Sequence, residues 1–273
     1  MIKYLFHAGD LHLRTYKRHD EFKETSTQFF NEIREFSKDY SKDELRIVLT
    51  GDLVHQKITI SNELVGMLAW FLREASSICP VIMIAGNHDL VEDNQDRMDS
   101  LTPIVEILND DNIHYYKKSE CILDDNIVWV VYSIFEHNQR PQIYDAIKQY
   151  GKDKTYVGLF HAPVLGSKTA AGYEFKDSGV GLDYFDGLQI VLLSDIHLRQ
   201  SFSIGGLKDN VCYSSSFLQN DFGESIKGHG YLIWDVASRT FTAHDIDSDY
   251  GFYKFQINGF DDITNNAEIL LNK

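Results

Sequence analysis

Hydrophobic and polar positions along the first half of the chain follow two recurring patterns, short apolar runs and longer amphipathic stretches. The apolar runs predict strands at residues 2–8, 45–50, 80–85 and 113–116. The amphipathic stretches carry apolar residues at helical spacing and predict helices at residues 20–38, 61–77 and 100–109. Strands that alternate with helices in this order are typical of a parallel sheet with helical crossovers.

The second half is richer in short apolar runs and poorer in helical patterns. The expected strands are residues 127–133, 156–161, 189–194, 202–204, 211–213, 230–236 and 241–246, with one helix at residues 140–150. This change predicts a second sheet packed on the first. Residues 166–186 are polar and Gly-rich, which predicts a long loop. Periodicity fades after about residue 247, so we expect a folded domain over residues 1–246 and a tail over residues 247–273.

Composition and charge narrow the class of protein. The chain has 273 residues, 43% of them hydrophobic, which is ordinary for a globular protein. No stretch approaches the roughly 20 apolar residues that a membrane span needs, and three widely spaced cysteines are typical of reduced thiols in a cytoplasmic protein. The net charge of −15 disfavours a protein that coats DNA by itself. It does not exclude a metal-dependent nuclease with a basic partner, because bound divalent ions change the local sign.

Chemically active side chains follow the predicted strands, at the point where each strand ends. These side chains are Asp10, His12, Asp52, Asn87, His88, Asp89, His161, Asp195 and His197. In an open α/β sheet the carboxyl ends of the strands form the crevice where ligands bind. Carboxylate, amide and imidazole ligands that converge there are suited to two divalent ions. The pattern therefore predicts a dinuclear metallohydrolase.

Each of these motifs also has an ordinary interpretation. Asp10-Leu11-His12 can be a surface aspartate beside an unrelated histidine, Gly51-Asp52 is a common turn, and His161 can be a buried packing residue. Gly86-Asn87-His88-Asp89 is more specific, because glycine permits a sharp turn directly after a strand. The coincidence of all the motifs at strand ends favours the metal site.

The order and spacing of these motifs resemble the calcineurin-like metallophosphoesterase superfamily over residues 1 to about 245. Within it, the chain is similar to the SbcD-type nuclease subunits of double-strand-break repair, particularly those of phages and large viruses. The segments that carry this narrower resemblance are residues 51–55, 166–169, 194–200 and 213–224. The resemblance implies an α/β fold, a four-layer αββα sandwich of two mixed sheets flanked by helices. It also implies that the tail is the start of a truncated or absent capping region.

The resemblance implies a role for each site residue. One ion would be bound by Asp10, His12, Asp52 and His197, and the other by Asp52, Asn87, His161 and Asp195, with Asp52 bridging. His88 would be the general acid. His55 would lie near the substrate path, although a capping or packing role is an equal alternative, and Arg14 and Arg199 are candidate substrate contacts.

One departure from the family pattern concerns the metal. Most members carry Gly-His where this chain has Ser194-Asp195. Three aspartates in one site favour hard ions, Mn²⁺ or Mg²⁺, over Zn²⁺. The larger Ser194 is expected to crowd the turn, and an Asp195 that pointed away would leave the second ion weakly held.

The resemblance implies a Mn²⁺-dependent exo- and endonuclease that processes DNA ends during recombination and repair, together with an SbcC-type ABC ATPase. The protein would be cytoplasmic, in the host cytoplasm if viral, and homodimeric. Apolar stripes on the second and third helices could form the dimer contact or simply belong to the core; they comprise Leu64, Met67, Leu68, Phe71, Leu101, Ile104, Val105 and Leu108. Two alternatives stay open: another phosphoesterase (a protein or small-molecule phosphatase, or a cyclic-nucleotide phosphodiesterase) and a non-catalytic scaffold.

Overall fold

The computed structural model describes residues 1–94, 97–136, 139–254, 256–259 and 261–262. Phe255, one of the last periodic positions, and residues 263–273 of the expected tail lie outside these ranges. The predicted domain boundary follows the end of the last strand at Asp245, and the division into domain and tail stays a prediction. In the described part of the chain, no helix is long and apolar enough to cross a membrane.

Strands and helices alternate in the described residues largely as the pattern predicts. The strands are β1 (Tyr4–Ala8), β2 (Leu45–Leu49), β3 (Val81–Met83), β4 (Ile113–Tyr115), β5 (Cys121–Asp124), β6 (Ile127–Tyr132), β7 (Thr155–His161), β8 (Ile190–Ser194), β9 (Gln200–Phe202), β10 (Val211–Tyr213), β11 (Gly230–Asp235) and β12 (Thr240–Asp245). The α-helices are α1 (His19–Phe36), α2 (Asn62–Ile78), α3 (Thr102–Leu108) and α4 (Ile143–Tyr150). Short 3₁₀ helices occupy Ser37–Asp39, Lys42–Glu44, Ile134–Glu136 and Leu182–Phe185.

These strands form two six-stranded mixed sheets. The first has the order β12-β11-β1-β2-β3-β4, in which β1 to β4 are parallel. The second has the order β5-β6-β7-β8-β10-β9, with β6, β7, β8 and β10 parallel. Parallel neighbours end at the same edge, so both sheets present the carboxyl ends of their central strands to a common side.

Side chains of alternating strand residues separate the layers. On β2, Ile47 and Leu49 pack in the core that contains the apolar faces of α1 and α2, whereas Val48 packs in the core between the sheets. Trp129 and Trp234 fill that middle core, and α4 covers the outer face of the second sheet. The result is the predicted sandwich of two mixed sheets flanked by helices.

The structure corrects the predicted strands in three respects. The edge strand β5 was not predicted, and β9 lies at Gln200–Phe202 instead of residues 202–204, because the backbone N–H of Ile204 donates to the side chain of Asn210. Strands β11 and β12 complete the first sheet and do not belong to the second. Tyr231 and Ile233 of β11 pack in the core under α1 and α2, and Leu232 and Trp234 pack in the core between the sheets, so both faces of this strand are buried.

The apolar stripes considered for a dimer contact serve mainly the core. Leu64, Leu68, Phe71, Leu101 and Ile104 are buried within the subunit. The remaining stripe residues are half-buried and pack against the same core; they are Met67, Val105 and Leu108. A homodimer stays a prediction.

Candidate metal centre

The predicted site residues gather at the shared carboxyl edge of the two sheets. Asp10 and His12 follow β1, Asp52 follows β2, and Asn87 follows β3. The second sheet contributes His161, the last residue of β7, together with Asp195 and His197 after β8. The strand order thus brings together side chains that are far apart in the chain.

The backbone at this edge adopts an uncommon conformation. Asp10, His12, Asp52 and Asp195 have φ values of 50°, 46°, 53° and 92°. Positive φ is unfavourable for residues other than glycine and clusters at functional sites. Backbone hydrogen bonds hold the turns in place: the N–H of Asp10 donates to the carbonyl of Gly51, and that of His12 to the carbonyl of Asp52.

Two glycines make room for the site. A Cβ on Gly86 would lie 2.2 Å from Oδ1 of Asp52, so glycine lets the Asn87 loop approach this carboxylate. A Cβ on Gly9 would lie 1.9 Å from Oγ of Ser194. The serine expected to crowd the turn is therefore accommodated opposite Gly9, where its hydroxyl hydrogen-bonds the hydroxyl of Thr50.

The first group of candidate ligands surrounds the ring of His12. Its Nε2 lies 3.0 Å from Nε2 of His197 and 3.6 Å from Oδ2 of Asp52. Oδ1 of Asp10 lies 4.0 Å from Nε2 of His197. The ligand atoms of Asp10, His12 and His197 lie close enough to one another for a single cation to contact all three.

The second group surrounds the ring of His161. Its Nε2 lies 3.3 Å from Oδ1 of Asp52 and 3.9 Å from Oδ1 of Asp195, so Asp195 faces the site. Nε2 of His161 and Oδ1 of Asn87 are buried side-chain atoms without a hydrogen-bond partner. Buried polar atoms are normally satisfied, and these exceptions are explained if each contacts an ion. The donor set therefore fits divalent cations, with Asp52 between the two groups.

The electrostatics of the site indicate a deficit of positive charge. Burial raises the pKa of Asp10 to about 7 and also raises the pKa of Asp195. Burial acts against ionisation of Asp52 as well, but the positive charge of His161 holds the pKa of that carboxyl below its usual value. Reciprocally, Asp52 overcomes the effect of burial and raises the pKa of His161 well above its usual value. Divalent ions would supply the positive charge that these carboxylates require.

Outer contacts orient the two imidazoles from the second sheet. Nδ1–H of His197 donates to Oε1 of Glu224 at 2.6 Å, and Nδ1–H of His161 donates to the carbonyl of Thr50 at 2.8 Å. Each bond leaves the lone pair of Nε2 directed at the site. Neither Glu224 nor Thr50 was predicted as a site residue, although Glu224 ends the segment 213–224 that carries part of the family resemblance. Glu224 lies 27 residues beyond its partner, and no local spacing marks it.

Asp89, the last residue of the Gly-Asn-His-Asp motif, stabilises the loops around the site. Its carboxylate accepts the backbone N–H groups of Gly86 at 2.8 Å and Val54 at 3.0 Å. Burial raises the pKa of this carboxyl to about 8. Asp89 thereby ties the loop that carries Asn87 and His88 to the loop after Asp52.

His88 and His55 lie on the solvent side of the first group. The backbone N–H of His88 donates to Oδ1 of Asp52 at 2.7 Å, and its Nδ1–H donates to the carbonyl of His55 at 2.7 Å, which leaves its Nε2 available. Nδ1 of His55 lies 3.4 Å from Nδ1 of His12. Burial, followed by the charge of Arg14, lowers the pKa of His55 to about 4.

The two arginines considered as substrate contacts occupy different positions. The guanidinium of Arg14 is half-buried near His55 and donates to the carbonyl of Asn220 at 3.1 Å. The guanidinium of Arg199 donates to the carbonyl of Ser214 and pairs with Asp245 of β12 at 2.6 Å. The proposed roles of all these residues stay predictions.

Comparison with known proteins agrees with this arrangement. A family model for calcineurin-like phosphoesterases matches residues 4–199. An uncharacterized protein of Acanthamoeba polyphaga mimivirus is 35% identical over 263 residues, which cover 94% of this chain and 19% of that protein. The chain thus spans about a fifth of the length of this relative.

Proposed function

Because the chain belongs to the calcineurin-like phosphoesterase family, we propose that it is a Mn²⁺-dependent DNA nuclease that hydrolyses phosphodiester bonds during DNA end processing. The family implies metal-dependent hydrolysis of phosphoesters. The observation that carries the proposal is the pair of buried, unpartnered ligand atoms, Oδ1 of Asn87 and Nε2 of His161, beside the carboxylate of Asp52.

The residues of the site divide the chemistry between them. Two divalent ions would polarise the phosphodiester and activate water. His88 would donate a proton to the leaving oxygen; its Nδ1–H is bonded to the carbonyl of His55, and its Nε2 is available. Its backbone bond to Asp52 fixes its position relative to both groups of ligands.

Nucleic acid as the substrate is supported by charge near the site. Arg14 lies beside His55, and the exposed Lys17 follows in the same loop, with its ammonium 5.8 Å from the ring centroid of the exposed Tyr16. Cationic and aromatic side chains together suit a nucleic acid strand, whose phosphates need positive charge and whose bases stack. The surrounding charge of −15 is consistent with a basic partner, and we propose an SbcC-type ATPase and a homodimer as the assembly.

The proposal is tested by incubating linear duplex and single-stranded DNA with the protein and Mn²⁺, with and without a chelator. We expect chelator-sensitive release of nucleotides and no comparable turnover of a generic phosphomonoester. Asp52→Ala should lose both ions in metal counting and should be inactive, because Asp52 borders both groups of ligands. Asp153→Asn is the matched control, since Asp153 is an exposed carboxylate beside Lys154 and does not line the cavities at the metal centre. Rapid hydrolysis of the phosphomonoester with intact DNA would contradict the nuclease assignment.

A further inference from the structure

A cavity of about 420 Å³ adjoins the second group of ligands. Asn87, His161 and Asp195 form its inner wall, so a phosphate held at the metal site would place its attached group at the mouth of this cavity. The volume falls within the range of roughly 300–1,000 Å³ that is usual for pockets that bind small organic ligands.

The far wall of the cavity is aromatic and apolar. Tyr132, Phe160 and Tyr184 line it, with the Tyr184 ring centroid 5.1 Å from that of Tyr132 and 5.9 Å from that of Phe160. Arg140 fixes Tyr184 further, because its guanidinium lies 3.9 Å from the ring centroid and donates to the backbone carbonyl at 2.7 Å. A ring held in this way loses little conformational freedom when a flat ligand packs against it.

The charged side chains that line the cavity are acidic and would repel a phosphate. Glu92 and Glu136 line it together with Asp195, and the described lining residues include neither lysine nor arginine. Glu92 pairs with Lys57 at 2.8 Å, and the carboxylate of Glu136 accepts the backbone N–H of Ser119 at 2.6 Å. A polyanionic strand is therefore disfavoured inside the cavity, whereas an uncharged aromatic base is not.

We propose that this cavity binds the nucleobase of the nucleotide at a free DNA end, packed against Tyr184, while its phosphate lies at the metal centre. The proposal rests on the nuclease function proposed above and deepens it. A continuing strand would have to bring its next phosphate against Glu136, so the cavity selects a terminal nucleotide over an internal one. The cationic loop with Arg14 and Lys17 lies on the side of the other ligand group, where the remaining strand can follow.

The test compares DNA ends that carry a base with ends that carry an abasic tetrahydrofuran residue at the terminal position. The wild-type protein should cleave the base-bearing end with a kcat/KM about 5- to 150-fold higher, the range expected for stacking of one base on an aromatic side chain. Tyr184→Ala should remove most of this preference and Tyr184→Phe should keep it. Tyr173→Ala is the matched control, because Tyr173 is an exposed tyrosine outside the cavity.

A second variant keeps the test informative if Tyr184→Ala does not fold. If thermal unfolding shows that Tyr184→Ala is unstable, Val180→Trp fills the cavity from a different wall and should lower cleavage of the base-bearing end to that of the abasic end. Equal kcat/KM for both ends in the wild-type protein would overturn the proposal.

A binding measurement distinguishes failure of the nuclease function from failure of the proposed base site. If the protein cleaves no DNA, calorimetry with Mn²⁺ compares deoxyadenosine monophosphate with deoxyribose 5-phosphate. Tighter binding of the nucleotide, lost in Tyr184→Ala, would support the base site even though the nuclease assignment had failed. Equal affinities would overturn the base site.

Discussion

Glu224 should control the affinity of the site for one metal ion without contacting that ion. Its Oε1 accepts Nδ1–H of His197 at 2.6 Å, and its Oε2 accepts the hydroxyl of Ser216 at 3.0 Å and the backbone N–H of Asn220 at 2.9 Å. With 5% of the side chain exposed, the carboxylate is held by these bonds and little screened by water. It therefore fixes both the ring orientation and the tautomer of His197.

We expect Glu224→Gln to weaken binding of one Mn²⁺ ion by about 10- to 100-fold, the usual effect of losing a hydrogen-bond partner behind a metal-binding histidine. An amide can keep one acceptor for His197, but its NH₂ group would face the N–H of Asn220. Affinity for the other ion should change little, because the ligands around His161 are oriented by Thr50. Activity should recover at high Mn²⁺ concentration.

The pH dependence of Mn²⁺ binding distinguishes this role from a general effect on folding. Burial acts to lower the pKa of His197, but the bond and charge of Glu224 raise it to about 9. Mn²⁺ must therefore displace a proton at neutral pH, and wild-type affinity should rise up to about pH 9. In Glu224→Gln this rise should end at a lower pH. Calorimetry across this range is the assay, with Asp153→Asn as the control, and an unchanged affinity and pH profile in Glu224→Gln would refute the reasoning.

Further predictions concern catalysis, stability against pH, and packing. His88→Asn should retain both Mn²⁺ ions in metal counting while cleavage falls by roughly 10²- to 10⁴-fold, the usual contribution of general acid catalysis; full activity would exclude His88 as the acid. Between pH 6.5 and 9 the metal-free protein should lose stability as pH rises, because the pKa of His197, raised to about 9, and that of Asp89, raised by burial to about 8, make the folded state bind more protons than the unfolded state. Urea unfolding in the presence of chelator measures how the free energy of unfolding changes with pH, and added Mn²⁺ should make this change smaller. A free energy of unfolding that increased between pH 6.5 and 9 would contradict the prediction. Gly9→Ala should destabilise the protein by about 1–3 kcal/mol through overpacking against Ser194, and Ser194→Gly in the same chain should restore most of that loss in urea unfolding; no restoration would show that the contact is not the cause.

The parallel half of the fold could be predicted because each strand and helix there has a clear pattern of hydrophobic residues. Continuous apolar runs such as Val81–Met83 belong to strands buried on both faces, and the helical spacing of α1 gives one apolar side. The short edge strand Cys121–Asp124 has neither signal, since its residues are only half-buried or exposed. The pairing of β11 with β1 could not be read from local patterns, because sheet membership depends on contacts between distant residues.

The candidate site also contains residues that could be predicted from sequence and residues that could not. Asp10, Asp52 and Asn87 could be placed together from sequence because each follows one of the parallel strands in the first half of the chain. Glu224 and Tyr184 lie in turns and long loops, and only the folded chain brings them to His197 and to the cavity. The ease with which Ser194 fits depends on Gly9, a partner that no local motif includes.

The ion-binding side chains are divided between the two halves of the sandwich, and this has a mechanical consequence. The contact between the sheets is largely apolar, and apolar packing is less directional than bonds between an ion and its ligands. Ions bound at the common edge by residues of both sheets would crosslink the two sheets and hold them in alignment. Heat or pressure that lets one sheet slip on the other would then abolish hydrolysis while most of the secondary structure persists.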